Sequence, residues 1–183
     1  VNTVLLANLI KIRWIAITGQ LITLFTIFFA FNFTIPLKEC LVVVLLSILV
    51  NFYSYFTQRG NPTLSDKKTF LFLLFDISQL VGLLFLTGGI FNPFAILLIV
   101  PTIVSSTFLS MGSTIILGSS TIILLFVLTF FNLPLPGMEE YVLSFPNYYV
   151  TGILISLIIG LIFLSYFGIR FAGETKKRSD ALN

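Results

Sequence analysis

Two places along the chain hold residue types that can do more than pack. The first is the run Thr87-Gly88-Gly89-Ile90-Phe91-Asn92-Pro93-Phe94. Gly88 or Gly89 can take the left-handed conformation that ends a helix. Asn92 is a strong N-cap and Pro93 suits the first position of a helix, so a second helix starts here. The product is a tight antiparallel hairpin. Its new helix start leaves N–H groups without intrahelical partners, and a ligand carbonyl oxygen could accept from them. Phe91 and Phe94 offer flat faces to a planar ring. The same residues also make a well-capped turn and nothing else, so the pattern alone leaves binding and capping both open.

The second place is Asp76, inside an apolar stretch, with Gln79 three residues on and so on the same helical face. A carboxylate at the middle of a membrane helix costs roughly 2.5–3.5 kcal/mol on insertion scales and turns to the bundle interior. Two roles compete for it. One is ligand binding or conformational coupling. The other is helix glue, with Asp76 hydrogen-bonded to Gln79, Gln20 or a backbone carbonyl. Asp76 lies about 18 Å along its helix from Gly88, so it is not expected to touch a head group held at the hairpin.

The remaining chemistry is sparse. The chain has no histidine, which removes the commonest general base, the commonest metal ligand and any phospho-accepting histidine. Its single cysteine, Cys40, can form no internal disulfide and no metal site by itself. Near the outer surface it could be redox-active, but a lone buried thiol is more often a small hydrophobe. Arg13-Trp14 reads as an interfacial anchor. An enzyme in the membrane needs paired acids, a His cluster or a nucleophile with its base. Asp76 alone supplies none, so no catalytic residue and no metal ligand is assigned.

These residues need elements to hold them, and composition says which. Hydrophobic residues make up 57% of the chain and charged residues 9%, with a mean hydropathy of +1.09. Soluble domains carry roughly 25% charged residues. The chain is therefore all-α integral membrane, and its net charge of +3 is no nucleic-acid signal. A spanning helix takes about 20 apolar residues. Six such stretches are predicted, near 14–33, 41–56, 70–87, 94–109, 114–131 and 148–169. A single helix from Phe94 to Phe131 would be about 57 Å long, against a hydrocarbon core of about 30 Å. The weak break at Ser110-Met111-Gly112-Ser113 must therefore be a turn. Pro101 is expected to kink the fourth span and open space beside the hairpin.

Lys and Arg fix the orientation. Lys11, Arg13, Arg59, Lys67, Lys68, Arg170, Lys176, Lys177 and Arg178 all fall on one side of a six-span bundle, and of the ten basic residues only Lys38 falls on the other, with Glu39, Glu139 and Glu140. Both termini are thus expected in the cytoplasm. Residues 1–13 form a cytoplasmic segment, 14–169 the six-span domain, and 170–183 the start of a cytoplasmic linker. Beginning at Val1 and ending in a charged run, the chain reads as part of a longer protein. Leu164, Gly168, Phe171, Thr175, Arg178 and Leu182 form a loose heptad seam that suits a parallel homodimer. A snorkelling basic anchor explains the same residues equally well.

The chain resembles the membrane sensor domain of RegB/PrrB-type redox-sensing histidine kinases. The resemblance rests on Ile12-Arg13-Trp14-Ile15-Ala16 with Gly19-Gln20, and on Phe75-Asp76 followed by Gln79-Leu80 and Leu86-Thr87-Gly88-Gly89. It rests above all on Gly88-Gly89-Ile90-Phe91-Asn92-Pro93-Phe94, which fits that family's GGxxNPF heptapeptide. Glu174 and Ser179-Asp180-Ala181-Leu182 are similar to its linker. PilS-like sensors share the six-span topology, but the NPF turn is not expected in them.

The resemblance implies a sensory domain in the bacterial inner membrane, with ubiquinone as the bound signal at Gly88, Gly89, Asn92, Pro93 and Phe94. It implies that oxidised quinone lowers autophosphorylation of a kinase core beyond residue 183. ATP binds only in that core, and a cognate response regulator receives the phosphate. The family's redox cysteine is cytoplasmic and is not Cys40. Length and topology alone also permit a small six-span transport subunit binding a vitamin-like solute. No small-residue helix face of the kind that docks a transport partner is apparent.

Overall fold

A backbone N–H or C=O left unpaired in hydrocarbon costs several kcal/mol, and a helix pairs its own. The computed structural model, which describes residues 4–57, 63–136 and 145–182, is accordingly almost all helix. The order is α1 (Leu6–Phe25), prolonged by a π-turn at Thr26–Ala30, then α2 (Leu37–Thr57) and α3 (Asp66–Leu86). After the hairpin come α4 (Ile99–Phe108), α5 (Met111–Phe130) and α6 (Asn147–Leu182). Five of these segments are long and apolar enough to cross a membrane, and the sixth crossing is the shorter apolar run Pro93–Phe108.

That short crossing is stretched. Residues Pro93–Leu98 are wound as a 3-10 helix before α4 begins. A 3-10 helix rises about 2.0 Å per residue against 1.5 Å in an α-helix. Sixteen residues as pure α-helix would reach about 24 Å, and this winding reaches about 27 Å. Pro101 lacks the N–H that an α-helix would direct at the carbonyl of Leu97, which favours the tighter winding just before it.

Contacts at the two ends of the bundle establish the alternation of the spans. At one end Val4–Leu5 (β1) pairs antiparallel with Thr63–Leu64 (β2), Val4 opposite Leu64. At the same end Asp66, in the first turn of α3, accepts from the backbone N–H of Ser110 at 2.7 Å and from the hydroxyls of Ser110 and Ser113. A Cβ on Gly168 of α6 would run into Ser106 of α4. The amino-terminal arm, the α2–α3 connection, the α4–α5 turn and the exit of α6 thus share one face. At the other end the Leu133 N–H donates to the Phe85 carbonyl at 2.8 Å, and Gly88 abuts Leu135. Arg59, Glu139 and Glu140, used above to orient the chain, lie outside the described residues, as do the side chains of Lys176, Lys177, Arg178 and Leu182.

Two apolar clusters make the core. The larger joins α3, α4, α5 and α6 around Ile77, Leu84, Leu98, Leu117, Leu125 and Leu128. The smaller packs Ile17 and Leu24 of α1 against Cys40 and Val44 of α2 and Leu83 of α3. Cys40 is fully buried there. Small residues let α6 lie close on α4: besides Gly168, a Cβ on Gly160 would stand 3.2 Å from Ile99. α6 runs on through Gly173 to Leu182 as one helix of 36 residues, about 54 Å and so far longer than a bilayer core. On its predicted seam, Gly168 is used inside the bundle, whereas Leu164 is 39% and Phe171 73% exposed.

Candidate functional site

The hairpin is built as its glycines require. Thr87 closes α3, and Gly88 (φ 111°) and Gly89 (φ 60°) are both left-handed. Gly89 has no room for a side chain: a Cβ would stand 2.6 Å from the Leu128 carbonyl oxygen and 2.7 Å from Asn132. Asn92 is the hub. Its Oδ1 accepts from the Phe94 N–H at 2.9 Å, and its Nδ2 donates to the Thr87 carbonyl at 3.0 Å and to Thr87 Oγ1 at 2.8 Å. Thr87 Oγ1 in turn donates to the Leu83 carbonyl. Pro93 occupies the first position of the following helix.

This network corrects one expectation. The start of the fourth span does not offer free N–H groups to a ligand. Pro93 has none, the Phe94 N–H is held by Asn92 Oδ1, and the Ala95 N–H by the Asn92 carbonyl at 2.9 Å. A buried donor left open would be costly, and the Asn92 side chain and the 3-10 winding close them. The two phenylalanines also part ways. Phe91 stacks on Phe145 (centroids 5.0 Å, planes 14° apart), which stacks on Tyr149. Phe94 points to a groove and is 41% exposed.

That groove, a cavity of about 590 Å³, lies between α1, α3 and the Pro93–Val104 stretch. Asn92, Pro93 and Phe94 line its hairpin end, with Thr87 beside them. Gly88 and Gly89 do not line it; they turn toward Leu135 and the end of α5. The five candidates therefore divide into three wall residues and two that set the turn. Ile12, Phe94, Leu97 and Val100 line the groove and are each 41–45% exposed. Because those residues sit on membrane helices, the mouth opens sideways to lipid.

The same cavity reaches Asp76 and Gln79, although about 18 Å of helix separates Asp76 from Gly88. Their partners are not each other. Arg13 Nε lies 2.8 Å from Asp76 Oδ1, and Arg13 Nη2 donates to the Phe72 carbonyl at 2.9 Å. The guanidinium sits over the Phe72 ring, 4.7 Å from its centroid. Gln79 and Gln20 form a reciprocal amide pair, at 3.1 and 3.2 Å. Arg13 is thus no interfacial anchor: it is 7% exposed and buried against α3. Carbonyl and carboxylate acceptors together with two aromatic faces offset the loss of its hydration.

A sequence signal for this existed. Arg13 and Gln20 are seven residues apart and so share a helix face, and Asp76 and Gln79 share one on α3. Aligning those faces pairs acid with base and amide with amide. Chemically the groove is an apolar slot with a polar belt. It can hold a lipid-soluble molecule with a hydrogen-bonding end. Among the described residues it gathers no nucleophile with a base and no pair of acids.

The model of the PilS-like transmembrane domain matches residues 5–178. The chain belongs to the PilS-like transmembrane domain family. The six-span architecture and the multi-pass location in a bacterial inner membrane accord with that membership. Two Cereibacter sphaeroides sequences named Sensor histidine kinase RegB are each 36% identical to the chain over 177 residues, 97% of its length. The chain spans 38% of the length of those relatives. No solved structure matches it. The family thus includes a member with the NPF turn, which the sequence had not led us to expect.

Proposed function

We propose that this domain is the sensory input of a two-component histidine kinase and that it monitors the redox state of the membrane quinone pool. Both termini lie in the cytoplasm, as the one-sided Lys and Arg distribution argues. The observation that carries the reading is the groove with Asn92, Pro93 and Phe94 in its wall and a mouth open to lipid. A ubiquinone reaches such a slot from the bilayer without crossing water. Similarity to proteins named sensor histidine kinase over almost the whole chain supports the kinase half.

In this reading α6 passes the signal on. It packs on α4 through Gly160 and Gly168, and α4 is continuous with the groove wall. A shift of that wall therefore moves a helix that projects beyond the membrane. The kinase core that α6 feeds supplies ATP binding and the phospho-accepting histidine, and passes the phosphate to a response regulator. A homodimer along the exposed part of the α6 seam brings two such cores together.

The full-length protein in lipid nanodiscs tests this. Autophosphorylation should fall with oxidised ubiquinone and rise when the quinone is reduced. Asn92→Ala and Phe94→Ala should each blunt that response. Autophosphorylation indifferent to quinone redox state sinks the function, and unchanged ubiquinone binding in both variants sinks the assignment of the wall.

A further inference from the structure

The hydrogen-bonding capacity of the groove is unevenly placed. At the hairpin it is spent: both N–H bonds of the Asn92 amide go to Thr87, and its oxygen takes the Phe94 N–H. At the belt it is not. A guanidinium carries five N–H donors, and Arg13 uses one on Asp76 and one on the Phe72 carbonyl. Among the described residues the other three meet no protein acceptor. Each amide of Gln20 and Gln79 has two N–H donors and uses one on its partner. Arg13, Gln20, Asp76 and Gln79 all line the cavity, and Arg13 and Gln79 are 7% and 8% exposed.

We infer that this belt, rather than the hairpin, holds the polar end of the groove's occupant, through Arg13, Gln20 and Gln79. The occupant is an uncharged lipid-soluble molecule with acceptor oxygens, its apolar part running outward past Phe94. The charge state follows from the ion pair. Asp76 already neutralises Arg13, so an anionic head would enter a low-dielectric slot with no cation left for it. A neutral carbonyl needs only the spare N–H donors. The Phe72 and Phe75 rings, 4.7 and 5.8 Å from the Arg13 guanidinium, pack against that group. This inference rests on the quinone reading and moves the head group to the other end of the same groove.

Two measurements on the full-length protein in phosphatidylcholine nanodiscs test it. The first uses the unaltered protein and a ubiquinone carrying an azide on its ring. Photolysis should label peptides containing residues 13–20 and 76–79. The second measures ubiquinone-1 binding to the Gln20→Leu/Gln79→Leu double variant. Removing both partners of a hydrogen-bonded pair together leaves no orphan and spares the fold, so melting should stay close to the parent while affinity falls about tenfold. Labels confined to residues 91–97 with parental affinity in the double variant overturn the inference and leave the quinone reading standing. Absence of ubiquinone-1 binding by the parent overturns both.

Discussion

Arg13 of α1 and Asp76 of α3, 63 residues apart in sequence, meet as an ion pair with Nε 2.8 Å from Oδ1. Their side chains are 9% and 23% exposed. Removing one member leaves the other charge in a poor solvent. Arg13→Leu should therefore cost about 3 kcal/mol, the low end of what breaking a buried pair costs, because Asp76 keeps some exposure. The Arg13→Leu/Asp76→Leu double variant should recover most of the loss, since a well-packed apolar pair replaces a buried ionic one with little penalty. Unfolding of the domain by denaturing detergent measures both. A double variant as unstable as the single would show that Arg13 matters through the Phe72 carbonyl and ring contacts instead.

Gly89 tests the hairpin. At φ 60° with a carbonyl oxygen 2.6 Å from any added Cβ, alanine meets both a left-handed strain of about 1–2 kcal/mol and an overpacking cost of about 1–3 kcal/mol. Gly89→Ala should lower stability by about 2–5 kcal/mol. Gly152 lies within α6 with nothing within 4 Å of an added Cβ. Gly152→Ala should be neutral or stabilising by up to about 1 kcal/mol. Thermal melting of the two variants side by side checks the contrast.

Much of this was legible before any coordinates. Hydropathy and charge give six crossings because the bilayer punishes every other arrangement. The turn at Gly88 to Pro93 was legible because capping is local: among the described residues the Asn92 side chain reaches only Thr87 and Phe94. The belt was not legible in the same way. Asp76 announces itself by its cost in a membrane, but its partner is set by the packing of α1 on α3. Sequence position alone puts Arg13 at the interface and leaves Gln79, Gln20 or a backbone carbonyl as partners for Asp76. The free N–H groups failed for a related reason. A helix start exposes donors only if its cap leaves them open, and Asn92 with a 3-10 turn does not. Asp66 carries no such signal: beside Lys67 and Lys68 a carboxylate reads as ordinary solvated surface.

Asn92 separates geometry from charge. Asn92→Ala loses a cap and two donated bonds, and should cost about 1–2 kcal/mol. Asn92→Asp keeps the acceptor for the Phe94 N–H but turns an oxygen toward the Thr87 carbonyl, where Nδ2 now donates. It should be at least as destabilising as alanine, although Asp is as good an N-cap as Asn in general. Melting temperatures of the two variants decide this. Recovery of parental stability by the aspartate would mean that the Thr87 contacts contribute little.

Asp66 holds α3 to the α4–α5 turn by accepting from Ser110 and Ser113, and Ser110 also caps α5 by accepting from the Ser113 N–H at 3.3 Å. One carboxylate thus ties the α4–α5 turn to the start of α3 through three hydrogen bonds. Asp66→Ala removes the acceptor, and Ser113→Ala removes one donor to it. Charge-assisted bonds contribute about 1.5–3 kcal/mol each when shielded. Asp66 is only partly buried at the end of the bundle, so about 1 kcal/mol for Asp66→Ala is expected after allowing for solvent screening. Because both variants break the same contact, their effects should be less than additive. Ser120, whose hydroxyl donates within α5 to the Ile116 carbonyl, should add independently to either. Amide exchange should also speed at Ser110, the N–H that Asp66 holds at 2.7 Å. Additive losses for Asp66→Ala and Ser113→Ala with unchanged exchange at Ser110 would show that the carboxylate does not anchor the turn.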